Sequence, residues 1–246
     1  MANQEIKNGE SVKASVSDSQ IAAFKEELLK TIPAERVYTD ELRTLAWGTD
    51  AGFYRYTPRM VVRSDNESEV SAILRLCRKH QVPFTFRAAG TSLSGQSVSD
   101  SVLIVAGKHW EKHEVIDHSA LNAPHSPTLN DMSIRLQPGI VGARVNEILK
   151  PYGRVFPPDP ASIGSAMVGG IVCNNASGMN CGVHANSDRM MESARIILTD
   201  GTIVDTADER SRKEFRQTHP DFIRKIEQLR DRVRADEELV ARIRKK

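Results

Sequence analysis

Two stretches decide how this chain is read: Arg87-Ala-Ala-Gly-Thr-Ser-Leu-Ser-Gly-Gln-Ser97 and Phe156-Pro-Pro-Asp-Pro-Ala-Ser-Ile-Gly-Ser-Ala-Met-Val-Gly-Gly-Ile-Val-Cys-Asn-Asn-Ala-Ser-Gly178. In the first, the small residues at 88–92 let the backbone approach a ligand closely, and successive N–H groups in such a turn form an anion-binding nest. A pyrophosphate fits that description, although a tight turn between two strands with no ligand fits it as well. Neither the glycine spacing of a dinucleotide-binding fingerprint nor the Gly-Lys-Ser ending of a phosphate-binding P-loop is present. In the second stretch, Pro157, Pro158 and Pro160 stiffen an extended approach, and Gly169, Gly170 and Gly178 bracket a run where small side chains dominate. Gln137-Pro138-Gly139 precedes it at the end of an expected strand.

Working outward, Met60, Val61 and Val62 form a short apolar run that reads as a buried strand. Ser64 followed by Glu67 suggests a capping box, after which Val70, Ile73, Leu74 and Cys77 recur as the apolar stripe of a helix ending near His80. Pro83 to Arg87 and Val102 to Ala106 read as further strands, so the strand–helix–strand order predicts parallel pairing with a right-handed crossover. Near the N-terminus, Ile21, Phe24, Leu28 and Leu29 mark an amphipathic helix ahead of Pro33, whereas the polar residues 1–18 read as a disordered tail without the apolar core of a secretion signal. Ile196 and Ile197, a turn at Asp200-Gly201 and a return over Thr202 to Asp205 predict a hairpin. Beyond Asp208, apolar residues from Phe222 to Ile243 at helical spacing in a charged tract predict one or two amphipathic helices.

Composition narrows the function classes. The 246 residues are 39% hydrophobic and 27% charged, with no apolar run long enough to span a membrane. With 34 basic against 32 acidic residues, net charge gives no sign of a nucleic-acid partner. Cys77, Cys173 and Cys181 lack paired ligand spacing, which argues for reduced thiols and against a zinc or iron–sulfur site. His109, His113, His118 and His125 read as part of a solvated insertion, with no metal-binding grouping.

Taken together, the two loops resemble the FAD-binding domain of the vanillyl-alcohol oxidase and p-cresol methylhydroxylase (PCMH) family. That family's first loop has the form R-x-x-G-T-S-L-x-G, and its second reads P-x-D-P, then G-G, then N-A-S-G. The likeness extends through the hairpin at 192–205 and is nearest to bacterial D-lactate, glycolate and D-2-hydroxyacid dehydrogenases. Gly178-Met-Asn-Cys-Gly182 is similar to the subgroup that carries an iron–sulfur domain.

The resemblance implies an α+β fold of two subdomains with FAD between them: a small βαβ subdomain at about 50–106 and a larger, mostly antiparallel one at about 107–207. A helical segment at 19–49 precedes this FAD-binding domain of 50–207, and a charged helical segment at 208–246 follows it. The first loop would hold the pyrophosphate through Arg87, Ala88, Ala89, Gly90, Thr91, Ser92, Gly95 and Gln96. Pro160, Ser162, Gly169, Gly170, Asn175 and Gly178 would lie along the flavin and ribityl chain, and the backbone near Ile197 at the adenine edge. Thr91 and Ser92 occupy positions where covalently tethering relatives usually carry a histidine, which implies noncovalent FAD. His184, just past the second loop, is a candidate to approach the flavin, against the plainer reading of a locally satisfied histidine.

Relatives continue past such helices into a G-S-E-G-T-L-G-like segment and a substrate cap that supplies most catalytic groups. The expectation is therefore a truncated flavin domain with no assignable catalytic residue and little activity alone. Three alternatives stay open: a subunit of a split dehydrogenase whose partner polypeptide supplies the missing segment, cap and electron-transfer domain; a noncatalytic remnant; and a reductase of the cell-wall UDP-sugar type. The expected setting is cytoplasmic, peripheral to the inner membrane only through partners.

Overall fold

The computed structural model describes residues 16–106, 109–117, 132–180, 182 and 184–245. Nearly all of the N-terminal tail, together with His118, His125 and Cys181, lies outside them. The chain divides into two compact units, Met1–Met190 and Met191–Lys246. Among the described residues, no helix is long and apolar enough to cross a membrane, and no cluster of His, Cys, Asp and Glu is suited to a metal.

The first unit opens with α1 (Asp18–Leu28), started by a full capping box: Ser17 Oγ accepts from the Gln20 N–H, and the Gln20 side chain accepts from the Ser17 N–H. Its face of Ile21, Phe24 and Leu28 is buried as the helical spacing requires, while Leu29 is exposed. Strand β1 (Val37–Tyr38), helix α2 (Glu41–Ala46) and strand β2 (Met60–Ser64) follow. Helix α3 (Glu67–His80) then leads to β3 (Phe84–Arg87) and β4 (Val102–Ala106). The four strands form one sheet in the order β1-β2-β4-β3. Both expected parallel pairings occur, but through β4, which lies between β2 and β3 and pairs with both from Val102 onward.

Central position explains the composition of β2 and β4. Met60, Val61, Val62, Leu103 and Ile104 are all fully buried, because a parallel strand covered on both faces has no solvent side to alternate toward. Each such side chain contributes about 1.5–3 kcal/mol by its removal from water. On α3 the stripe Val70, Ile73, Leu74 and Cys77 is buried as expected. The cap differs from the expected box: Asn66, not Ser64, accepts the Glu69 N–H at 2.9 Å. Ser64 instead ends β2, with its hydroxyl bonded to the Val105 carbonyl.

Further along the first unit, β5 (His113–Asp117) pairs antiparallel with β6 (Met132–Leu136). Helices α4 (Gly142–Leu149), α5 (Val168–Cys173) and α6 (Ser187–Met190) complete the unit. A second core of Ile140, Val145, Leu149 and Val168, with Ile134, Leu136, Phe156 and Val172 against it, underlies the second loop. Among the described residues of 107–207 the strands form this antiparallel ladder and one antiparallel hairpin in the other unit, each two-stranded, where the sequence suggested one larger, mostly antiparallel sheet.

In the second unit, β7 (Arg195–Ile197) and β8 (Ile203–Asp205) form the expected hairpin, and Gly201 takes a left-handed φ of 82° in its turn. The charged tract forms three helices, α7 (Glu209–Thr218), α8 (Pro220–Ala235) and α9 (Glu237–Lys245). Pro220 separates the first two by starting α8, where its missing N–H costs nothing, and Asp236 in extended geometry separates the last two.

Candidate functional site

Strand β3 delivers the first loop. Gly90 and Gly95 take left-handed φ values of 75° and 71°, so the backbone reverses twice within six residues. Ser92 is the organiser: its hydroxyl oxygen accepts from the N–H groups of Ser94 at 3.1 Å and Gln96 at 3.3 Å. The same hydroxyl bonds the Gln96 side-chain oxygen at 3.0 Å. Among the described residues, no acceptor faces the N–H groups of Ala89, Gly90, Thr91 and Ser92. Four consecutive free donors around a left-handed glycine form an anion nest.

Arg87 anchors the root of this loop. Its Nη1 donates to the Thr49 carbonyl at 2.6 Å, and its Nε is buried with no acceptor. Burial pulls the guanidinium below its ordinary pKa, and the nearby Asp50 carboxylate partly opposes that.

The second loop is fixed from below by the second core. Val168 N–H donates to the Ile140 carbonyl and Gly169 N–H to the Pro138 carbonyl, at 2.8 and 2.9 Å. Gly169 has no room for a side chain, since a Cβ there would lie 2.7 Å from the Pro138 Cβ. Gly178 is tighter still: a Cβ would fall 1.6 Å from the Asp159 carbonyl oxygen. Pro160 is buried beside it, and Ser162 uses its carbonyl to accept from the Ala166 N–H at 2.7 Å. Asn175, at a left-handed φ of 44°, accepts the Asp188 N–H at 3.0 Å. These glycines, prolines and Asn175 thus shape the loop, whereas Gly164 and Gly170 are exposed and uncrowded, and of the two Gly170 is the one that faces the first loop.

The structure brings the two loops together. Gln96 Nε2 donates to Asn174 Oδ1 at 3.3 Å, and a Cβ on Gly170 would stand 3.9 Å from that of Ala88. Ile197 sits in β7 of the second unit, opposite Ile203. His184 is exposed. Sequence reasoning missed the segment that backs the first loop: Ala51 N–H donates to the Gly90 carbonyl at 3.0 Å, and the Tyr54 ring packs 3.2 Å from where a Gly95 Cβ would lie.

Comparison with known proteins agrees with this geometry. The family model described as "FAD binding domain" matches residues 58–207. D-2-hydroxyglutarate dehydrogenase of Haemophilus influenzae is 24% identical over 174 residues, covering 70% of this chain and 16% of that protein. Glycolate oxidase subunit GlcD of Bacillus subtilis is 26% identical over 184 residues, covering 74% of this chain and 37% of that protein. The chain therefore spans well under half the length of the curated relatives it matches. Among solved structures, p-cresol methylhydroxylase with bound substrate superposes with a TM-score of 0.55 at 12% identity, covering 78% of this chain and 36% of that one. That likeness supports the mixed α and β fold of the PCMH type.

The residues present fit FAD on structural grounds. A row of free backbone donors beside a half-buried guanidinium suits a diphosphate, and Gly170, exposed and without a side chain, lets the second loop come close to Ala88 of the first. Over residues 58–207 the chain belongs to the FAD binding domain family.

Proposed function

We propose that this chain is the cofactor-holding portion of a flavoprotein that oxidises a 2-hydroxy acid such as D-lactate or glycolate. The observation that carries the reading is the meeting of a donor-lined first loop with a glycine-lined second loop at Gln96–Asn174 and Ala88–Gly170. In this reading the N–H groups of Ala89 through Ser92 hold the pyrophosphate, with Gly95 and Gln96 closing the turn. Gly169, Gly170 and Ser162 border the flavin and ribityl chain, Pro160, Asn175 and Gly178 hold that border in shape, and Ile197 belongs to the adenine side. The domain runs over about 50–207, between helical segments at 19–49 and 208–246.

Bound flavin supplies a hydride acceptor for the carbon bearing the substrate hydroxyl. The chain's own part is to bind and orient that acceptor and to exclude water from it, and no residue is assigned as catalytic. Thr91 and Ser92 offer no histidine for a covalent link, so the cofactor is held noncovalently. The names of the relatives support the substrate class, since 2-hydroxyglutarate and glycolate are both 2-hydroxy acids. A separate polypeptide that completes the substrate site and receives the electrons belongs to the same reading, as does a cytoplasmic setting.

An absorbance scan of the purified protein followed by acid precipitation tests this. Yellow protein releasing all its flavin into the supernatant as FAD is the expected result. Flavin remaining in the pellet contradicts noncovalent binding, and release of FMN in place of FAD contradicts the pyrophosphate assignment.

A further inference from the structure

The segment before the family match is built against the first loop along its whole length. Gly48–Tyr56 closes on itself through the Tyr56 N–H to Gly48 carbonyl bond at 3.0 Å and the antiparallel bridge between Thr49 and Arg55. From this closed loop, Ala51 N–H donates to the Gly90 carbonyl at 3.0 Å. Asp50 accepts from the Gly52 N–H at 2.8 Å with one carboxylate oxygen and from the Ser97 hydroxyl at 3.4 Å with the other. Gly52 lies so close to the first loop that a Cβ would come within 2.9 Å of the Leu93 carbonyl. Tyr54 fills the space beside Gly95, the nearest ring atom standing 3.2 Å from where a Cβ would be. Contacts therefore fall at the start, middle and end of the nest-bearing loop.

Arg87 joins the two. Its Nη1 donates to the carbonyls of Thr49 at 2.6 Å and Trp47 at 3.4 Å, and its guanidinium carbon stands 5.2 Å from the centre of the Trp47 ring. Nη2 occupies the place a Gly90 side chain would need, 2.3 Å from an ideal Cβ, and Nε is sealed from solvent. Nη1 is thus taken up by the backing segment and Nη2 lies against Gly90, which leaves Nε as the buried nitrogen without an acceptor. The guanidinium charge still favours an anion in the nest above, because the site is partly desolvated.

We propose that the 47–56 segment is a prebuilt back wall of the cofactor site, and that Arg87 is a positioning residue that clamps it to Gly90 rather than a ligand of the pyrophosphate. The inference rests on the flavin-binding reading for what the loop holds, but the clamp itself is made only of this chain's own groups. Its consequence is preorganisation: the donors of Ala89 to Ser92 are fixed before binding, so ordering cost at the moment of binding is small.

The test is amide hydrogen exchange on the flavin-free full chain, paired with FAD titration by flavin fluorescence, for Arg87→Met and for the charge-neutral Trp47→Leu. Arg87→Met is expected to speed exchange at the Ala51 and Tyr56 amides about tenfold or more, as loss of a charge-assisted bond would do, and Trp47→Leu, which removes only the ring beside the guanidinium, about a few-fold, while the Ile104 amide in β4 keeps its protection. Both are also expected to weaken FAD binding, Trp47→Leu with the same salt dependence as the unaltered protein. Unchanged exchange in flavin-free Arg87→Met, combined with lost FAD affinity and a shallower salt dependence, would overturn the proposal in favour of direct phosphate contact. Loss of protection at Ile104 in both variants would overturn it in favour of a general folding role. Should Arg87→Met fail to fold, Trp47→Leu decides alone: faster exchange at Ala51 supports the clamp and unchanged exchange refutes it. If the unaltered protein takes up no FAD, the flavin reading fails while the exchange comparison still judges the clamp.

Discussion

The side-chain amide of Gln96 reaches that of Asn174 across 3.3 Å, joining loops 78 positions apart in the chain. Because both side chains are exposed, water competes for the bond, and its worth lies in registering the loops more than in overall stability. Gln96→Ala and Asn174→Ala are each expected to weaken FAD binding a few-fold. A double-mutant cycle on FAD affinity should give a coupling of about 0.5–1 kcal/mol. Strict additivity would mean the contact does not matter for cofactor binding.

Gly178 tests the second loop by steric means. A methyl group there would collide with the Asp159 carbonyl, which is backbone and cannot swing aside. Gly178→Ala should therefore cost about 1–3 kcal/mol or more and also lower FAD affinity. Gly170→Ala, whose methyl group meets only the Ala88 Cβ at 3.9 Å, should leave stability nearly unchanged. Denaturant melts of the two variants distinguish these outcomes, and equal losses would contradict the packing described.

Ile140 couples the second core to the same loop, since its side chain is buried while its carbonyl accepts the Val168 N–H at 2.8 Å. Ile140→Ala is expected to cost about 2–5 kcal/mol through the lost burial and the cavity left behind. Urea unfolding followed by tryptophan fluorescence measures this directly. A loss below about 0.5 kcal/mol would indicate that the core beneath the loop is not packed as described.

Much of this was legible in the sequence, and what was not has a physical reason. The α3 stripe and the two Gly-rich loops announce themselves through side-chain type, because burial and close backbone approach select it. The α3 cap was misplaced by two residues because Ser64 and Asn66 are both competent caps, and the pairing of Ser64 with Ala106 in the β2–β4 ladder claims the serine. The back wall at 47–56 left no pattern to read. Its bonds to Arg87 and Gly90 come from the carbonyls of Trp47 and Thr49 and the N–H of Ala51, groups that every residue carries. Asn175 shows the converse, a residue readable as a ligand whose side chain caps α6.

In the second unit, Asp200 and His219 approach to 2.9 Å. Burial by itself would raise the Asp200 carboxyl, but bonds from the Thr202 N–H, His219 and the Thr202 hydroxyl outweigh it and hold the pKa at about 2. A carboxyl depressed on folding stabilises above its unfolded value of about 3.9, and that stabilisation fades as pH falls from about 5 toward 2. After allowance for solvent screening it amounts to about 1–2 kcal/mol. Asp200→Asn should lose that much at pH 7 and match the unaltered protein near pH 2, as read by exchange of the hairpin amides. An Asn variant with the same pH profile would contradict this.

The two described cysteines should differ sharply in reactivity. Burial on α3 pushes the Cys77 thiol up to about 12, so it stays protonated across the neutral range, whereas Cys173 at the end of α5 is exposed. Brief alkylation at pH 8 with peptide mapping should label Cys173 and spare Cys77 until the protein is unfolded. Equal labelling of the two would contradict the burial of α3.

Calorimetric titration of the flavin-free protein with FAD, in parallel with FMN, tests the central claim most directly. The account predicts saturation at one FAD per chain, and markedly weaker binding of FMN, which lacks the diphosphate that the Ala89–Ser92 donors would hold. Equal affinity for FAD and FMN, or no heat of binding with FAD at millimolar concentration, would contradict it.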